Sequence, residues 1–155
     1  MHSRTASPED FLALGRQVLA NQPFSVLLGA ELVALAPGRC ELSLAITPQL
    51  RQQHGFAHGG VVSYLADNAL TYAGGTAMQV PVVTSEFKIN YLRPAVGERL
   101  LARAEAVHHG KRQAVCRCEV LVIQDGQEKL CAVAQGTIAA LGAAQTESDA
   151  ADAAA

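Results

Sequence analysis

Apolar positions recur at two different periods along the chain, and the change of period marks its elements. Phe11, Leu12, Leu14, Val18 and Leu19 keep the three-to-four spacing of an amphipathic helix. Before them, Ser7-Pro8-Glu9-Asp10 offers a cap, a proline for the first turn and acids for the positive end of the dipole, which predicts a helix to about Ala20. Asn21-Gln22-Pro23 interrupts it, and a short helical turn over 24–28 ends at Gly29. Around Pro37-Gly38 the period drops to two. Leu42, Leu44 and Ile46 alternate with Glu41, Ser43 and Ala45, as in a half-buried hairpin of residues 31–36 and 39–46. A loop rich in Gly and His over 52–60 leads into one long apolar helix, residues 61–78. Four later runs, 82–92, 99–109, 113–124 and 129–141, read as strands separated by Pro94/Gly97, Gly110-Lys111 and Asp125-Gly126. This order predicts an α+β fold in which one antiparallel sheet packs on one helix.

The long helix is apolar nearly all round, from Val61 and Val62 through Leu65, Ala69 and Leu70 to Ala73. A sheet covers one side of a helix only. Small residues (Gly60, Ser63, Ala66, Gly74, Gly75) admit a close neighbour on the other, and the same helix of a second subunit is the natural candidate. Residues 1–23 form an N-terminal helical segment and 24–142 the main domain. Residues 143–155, AAQTESDAADAAA, lack an apolar pattern and read as a disordered tail.

Composition narrows the function. The chain has 155 residues, of which 50% are hydrophobic and 17% charged, enough to bury a core as one domain. Twelve basic and fourteen acidic side chains leave a net charge of −2, with 5% aromatics and no Trp. Neither a phosphate-neutralising surface nor a base-stacking platform is present, so a nucleic-acid partner is not expected. No apolar run reaches the roughly 18–20 residues of a membrane span. The first ten residues hold no apolar stretch of a secretory signal, and the four cysteines (Cys40, Cys116, Cys118, Cys131) form no Cys-x-x-Cys. Free thiols in a cytoplasmic protein are the expectation.

Asp67 is the only acid between Glu41 and Glu86, and it sits in the middle of the apolar helix. An isolated carboxylate there needs partners or a task. Helical spacing places it on one stripe with Gly60, Ser63, Tyr64, Thr71 and Gly74, so a structural acid bonded to Ser63 or Thr71 is the alternative. Before the helix stands Gly55-Phe56-Ala57-His58-Gly59-Gly60. Glycines at a helix start leave backbone N–H groups open to a ligand and suit a developing oxyanion, although a tight turn explains them too. No phosphate-loop pattern occurs. His54 and His58 lie four apart in a loop with no third ligand in sight, so neither a metal nor a cofactor is expected.

The segments QQHGFAHGGVVSYLADNALTYAG and VVTSEFKINYLRPAVGERL resemble the hotdog-fold acyl-CoA thioesterases, specifically the group of the phenylacetate-degradation thioesterase. The resemblance runs from about Leu12 to Leu141. It implies a long central helix wrapped by a curved antiparallel β-sheet, paired subunits, and dimers that pair again into tetramers. Residue by residue, it implies Asp67 as the catalytic carboxylate, general base or nucleophile. Gly59 then supplies the oxyanion N–H, His58 binds or orients the thioester, and Gln52 lies near the attacking water. Thr84 falls where relatives carry a hydroxyl that steadies that water. Strand parity counted from Phe87, Ile89 and Tyr91 instead turns Ser85 toward the helix, unless a bulge intervenes. Gly60, Ser63 and Ser85 are candidates for substrate contact. Lys88, Arg93, Lys111 and Arg112 are candidates for the CoA phosphates, and each also reads as plain surface charge.

The reaction implied is hydrolysis of an acyl-CoA, aryl or medium-chain, to a carboxylic acid and CoA. Two other readings stay open: an acyl-CoA-binding module without catalysis, and a hotdog dehydratase. The isolated Asp67 speaks against the first, and the lack of a D-x-N-P-x-H loop against the second. No Gly-x-Ser-x-Gly elbow supports a serine hydrolase.

Overall fold

A computed structural model describes residues 7–142. The expected tail, 143–155, lies outside the described residues. Helix α1 (Pro8–Ala20) starts at a capping box in which Ser7 Oγ accepts from the Asp10 N–H and Asp10 answers at the Ser7 backbone. Helix α2 (Pro23–Leu28) stops at Gly29, whose φ of 74° is a conformation that glycine adopts without a Cβ clash. Strands β1 (Glu31–Ala36) and β2 (Arg39–Ala45) form the hairpin. A 3₁₀ turn, Pro48–Leu50, and a loop then lead to α3 (Gly59–Met78). Strands β3 (Val82–Tyr91), β4 (Arg99–His109), β5 (Gln113–Gln124) and β6 (Gln127–Ala140) follow. The expected elements all form, with α3 starting two residues earlier than its apolar pattern and β6 two residues earlier than its own.

All six strands join one antiparallel sheet in the order β1-β2-β4-β5-β6-β3. Strands β4, β5 and β6 form a meander, and β3 reaches the far edge because α3 carries the chain across the sheet. Leu42, Leu44, Leu100, Ala102, Val120, Val122 and Ile138 line the inner face and are buried. They meet Leu65, Ala66, Ala69, Leu70 and Ala73 of α3. Each leucine so enclosed contributes about 1.5–3 kcal/mol. At Gly74 the helix lies so close to the sheet that a Cβ would sit 2.7 Å from Ile138 Cβ.

The chain itself supplies part of the second cover that α3 requires. The Tyr72 hydroxyl donates to the Gly15 carbonyl of α1 at 2.9 Å, and the Tyr64 hydroxyl to Ser25 Oγ of α2 at 2.6 Å. What stays half-exposed between α2 and β3 is a small and polar stripe through Ser63, Asp67 and Thr71. All four cysteines are free and buried. Among the described residues no helix is long and apolar enough to cross a membrane.

Candidate active site

The start of α3 is built from a tied-down loop. Gly55 turns the loop with a φ of +91°, the Gln52 N–H donates to the Phe56 carbonyl (3.0 Å), and Gln52 Oε1 accepts from the His54 N–H. The Ala57 N–H reaches the Ala95 carbonyl (3.1 Å) and the His58 N–H the Leu50 carbonyl (2.8 Å). His58 is the N-cap. Its Nδ1 accepts from the Gly60 N–H at 2.9 Å, and its carbonyl accepts from the Val61 and Val62 N–H groups. The Val62 bond is the first regular helix bond; with the His58 N–H on Leu50, the Gly60 and Val61 bonds bring to three the satisfied donors among the four free ones of the helix start. Among the described residues the Gly59 N–H has no acceptor, so it is the donor left for a ligand. Because Nδ1 is an acceptor, the proton of the neutral His58 ring sits on Nε2, which gives this exposed side chain a second outward donor. The Tyr91 hydroxyl donates to the Gly59 carbonyl at 3.1 Å and holds the first turn against β3.

A cavity of about 540 Å³ opens beside this turn, lined by Gly59, Gly60, Val62, Tyr91, Arg93 and Cys131 among others. Burial pushes the Cys131 thiol up to about 11, against the pull of the Arg93 charge, so it is no nucleophile near neutral pH.

Asp67 lies two helical turns further along α3. Its Oδ1 accepts from the Thr84 hydroxyl at 2.7 Å. Thr71 Oγ1 is 2.9 Å from Thr84 Oγ1 and donates to the Asp67 carbonyl at 2.9 Å. Asp67 Oδ2 accepts no hydrogen bond among the described residues, and the side chain is half-buried, so one oxygen is fixed and the other open. Ser63 makes no bond to Asp67 among the described residues.

The Thr84 contact exists because of a bulge. Thr84 pairs with Ile138 and Glu86 with Thr137, so Ser85 is an extra residue in β3. Parity counted back from Phe87 therefore fails at this one place: Thr84, not Ser85, faces α3, and Ser85 is exposed. Nothing in the residue types announces the bulge.

Sequence reasoning missed a polar cluster beside the stripe. Ser25 Oγ donates to Gln22 Oε1 (2.6 Å). Asn68 Nδ2 donates to Gln22 Oε1 (3.1 Å), Tyr64 Oη (3.1 Å) and Ser25 Oγ (3.3 Å). The Phe24 ring meets the Tyr64 ring edge-on at 5.3 Å. The four-residue spacing of Tyr64 and Asn68 is a readable signal, but their partners arrive from a different helix.

The basic candidates separate. Arg93 lines the cavity at the start of α3, and Lys88 is exposed on β3. Lys111 and Arg112 turn between β4 and β5, where the Arg112 carbonyl accepts from the Ala140 N–H. Ala140 pairs with Val82, which packs on Gly75 near the other end of α3. Within one chain these two basic residues are therefore remote from Gly59. His54 stacks on Phe56, and no group of three or more His, Cys, Asp or Glu gathers as metal ligands among the described residues.

Comparison with known proteins bears on the family and the fold. Residues 54–129 match the profile of the thioesterase superfamily. The acyl-coenzyme A thioesterase PaaI of Escherichia coli (strain K12) is 30% identical over 117 residues, covering 75% of this chain and 81% of that protein. The 1,4-dihydroxy-2-naphthoyl-CoA hydrolase of Listeria monocytogenes is 30% identical over 114 residues, covering 72% and 90%. Among solved structures, a thioesterase family protein from Silicibacter pomeroyi superposes with a TM-score of 0.79 at 41% identity, covering 81% of this chain and 94% of that one. The E. coli PaaI structure gives 0.78 at 25% identity, covering 88% and 97%.

Proposed function

The chain belongs to the thioesterase superfamily as a PaaI-like hotdog acyl-CoA thioesterase, and from that premise we propose how its own residues divide the work. Asp67 is the general base. Thr84 fixes one carboxylate oxygen, and the open Oδ2 takes a proton from water as that water attacks the thioester carbonyl. The Gly59 N–H and the His58 Nε2–H stabilise the oxyanion that forms. The C–S bond then breaks, and the proton held by Asp67 passes to the departing CoA sulfur. The carrying observation is the Thr84–Asp67 bond, which aims a half-buried carboxylate rather than leaving it a bystander.

Gly59 and Asp67 are eight residues apart, or about 12 Å along the helix at 1.5 Å per residue. Water and carbonyl span roughly half of that. One chain thus holds two half-sites, and a site completed by Asp67 of one subunit and Gly59 of another accounts for the gap. The polar, half-exposed stripe of α3 supports pairing of two copies along this helix, antiparallel, with the dyad near Ser63. Gln52, in the Gly59 half-site, then approaches the water held by Asp67 of the other chain. Gly60, Ser63 and Ser85 remain candidates for substrate contact. Arg93 is the basic residue placed to meet CoA phosphates beside Gly59, with Lys88, Lys111 and Arg112 as further candidates. The names of the two curated relatives support an aryl or other acyl-CoA as substrate. Four buried free thiols support a cytoplasmic setting.

The test is release of free thiol from benzoyl-CoA, phenylacetyl-CoA and octanoyl-CoA, read with a thiol reagent. Turnover by the wild type and a loss of about 10²–10⁴ in kcat for Asp67→Asn, with an unchanged melting temperature, is the expected result. Binding without thiol release would mark an acyl-CoA sensor instead, and water elimination from a 3-hydroxyacyl-CoA a dehydratase.

A further inference from the structure

We infer that Thr71 is a positioning residue for the reaction: its hydroxyl orients Thr84 so that the single Thr84 proton goes to Asp67. The inference rests on the reading of Asp67 as the base. It starts from counting protons. An ionised carboxylate only accepts, so the 2.7 Å contact requires Thr84 to donate to Asp67 Oδ1. Thr84 has no other proton. In the 2.9 Å contact between the two hydroxyls, Thr84 is therefore the acceptor and Thr71 the donor. Thr71 shares its own proton between Thr84 Oγ1 and the Asp67 carbonyl, both at 2.9 Å.

The bond from Thr71 back to residue 67 is a common habit of threonine in a helix, and it restricts the side chain to one χ1 well. Here that ordinary bond has a local effect. It places Oγ1 within reach of Thr84, across the gap between α3 and β3. Without it, the Thr84 hydroxyl loses its only donor from α3 among the described residues and can rotate away from the carboxylate. With it, three groups on two elements form a directed chain from Thr71 to Thr84 to Asp67. With its one proton committed to Asp67 and one lone pair to Thr71, Thr84 can meet the attacking water only as an acceptor through its remaining lone pair.

The experiment uses the full chain and whichever of the three acyl-CoA esters it turns over fastest. Thr71→Val keeps the β-branched shape and removes the hydroxyl. It should lower kcat about tenfold, the equivalent of about 1.4 kcal/mol, and leave KM within about twofold. Thr71→Ser restores the hydroxyl and should recover most of kcat. Added to Asp67→Asn, Thr71→Val should cause no further loss, because it acts through the group already removed. If Thr71→Val does not fold, Thr71→Ala carries the same comparison. Wild-type kcat in the valine variant, failure of serine to rescue, or a full further loss in the double variant would each overturn the inference. An active Asp67→Asn enzyme would overturn the reading of Asp67 and the inference with it. An inactive Asp67→Asn beside a fully active Thr71→Val overturns the inference alone.

Discussion

His58 carries two jobs in one ring, and they can be separated. Its Nδ1 caps α3 through the Gly60 N–H, while Nε2 of this exposed side chain is left with the proton of the neutral ring, the donor proposed for the oxyanion. Asparagine can replace the cap, but its shorter amide does not carry an N–H out to the position of Nε2. His58→Asn should thus keep its melting temperature and lose kcat, whereas His58→Ala should lose about 1 kcal/mol of stability as well. Denaturant titration beside thiol-release kinetics checks both. At this scale the sequence was informative where a residue was chemically out of place. Asp67 stands alone in an apolar helix, and Gly59 and His58 sit at a glycine-rich helix start. Thr84 was harder, since the choice between it and Ser85 turns on one unpaired residue in β3. The Gln22–Ser25–Tyr64–Asn68 cluster was out of reach, because its members meet only once α2 has docked on α3.

The elements were legible because each buries one face and so writes its period into the chain. Strand β5 alternates cleanly, β2 and β4 each carry three consecutive buried residues within their alternation, and the turn residues between the strands fix their ends. The contacts between elements leave weaker traces. Gly74 is an unremarkable residue in a helix until Ile138 is seen beneath it. Gly74→Ala would set its new carbon 2.7 Å from a β-branched side chain with no room to swing aside. A loss of about 1–3 kcal/mol is expected despite the better helix propensity of alanine. Ile138→Ala should cost about 2–5 kcal/mol on its own, but because it empties the space beneath, the double variant should lose less than the sum of the two, and a urea midpoint for each variant decides the matter. The second face of α3 shows the same limit. Its apolar pattern called for a cover, but not for one supplied partly by α1 and α2.

Across the whole molecule, the proposed division of the site into two halves is open to complementation. Asp67→Asn and Gly59→Pro each break one half. Proline suits this first helical position, since His58 before it already has an extended ψ of 138° and a Cβ added at Gly59 would meet Tyr91 at an ordinary 3.6 Å. If sites are shared between chains, equal mixing with subunit exchange should recover about a quarter of wild-type activity, since half the dimers are mixed and half their sites are intact. Recovery of none, with exchange verified, sinks the shared site. A second global property follows from the buried thiols. Burial pushes Cys116 and Cys131 up to about 11 and Cys118 to about 12. Cys40 and Tyr72 are raised as well, again chiefly by burial. Unfolded cysteines ionise near about 8.5, so above that pH the unfolded chain sheds protons that the folded chain keeps. Stability should be level from pH 7 to 8 and fall steadily from about pH 9 through 11, as urea midpoints under reducing conditions would show.

The extra residue in β3 also bears on how this chain is compared with others. Counted from the helix side, the hydroxyl that meets Asp67 belongs to Thr84; counted back from Phe87, the same place in space falls in the column of Ser85. A relative lacking the insertion would align its hydroxyl with Ser85 unless a gap were opened there, and the two chains would then agree in space while disagreeing in column. A transplant of this strand between relatives should accordingly be cut at Ser85, so that each side keeps its own count.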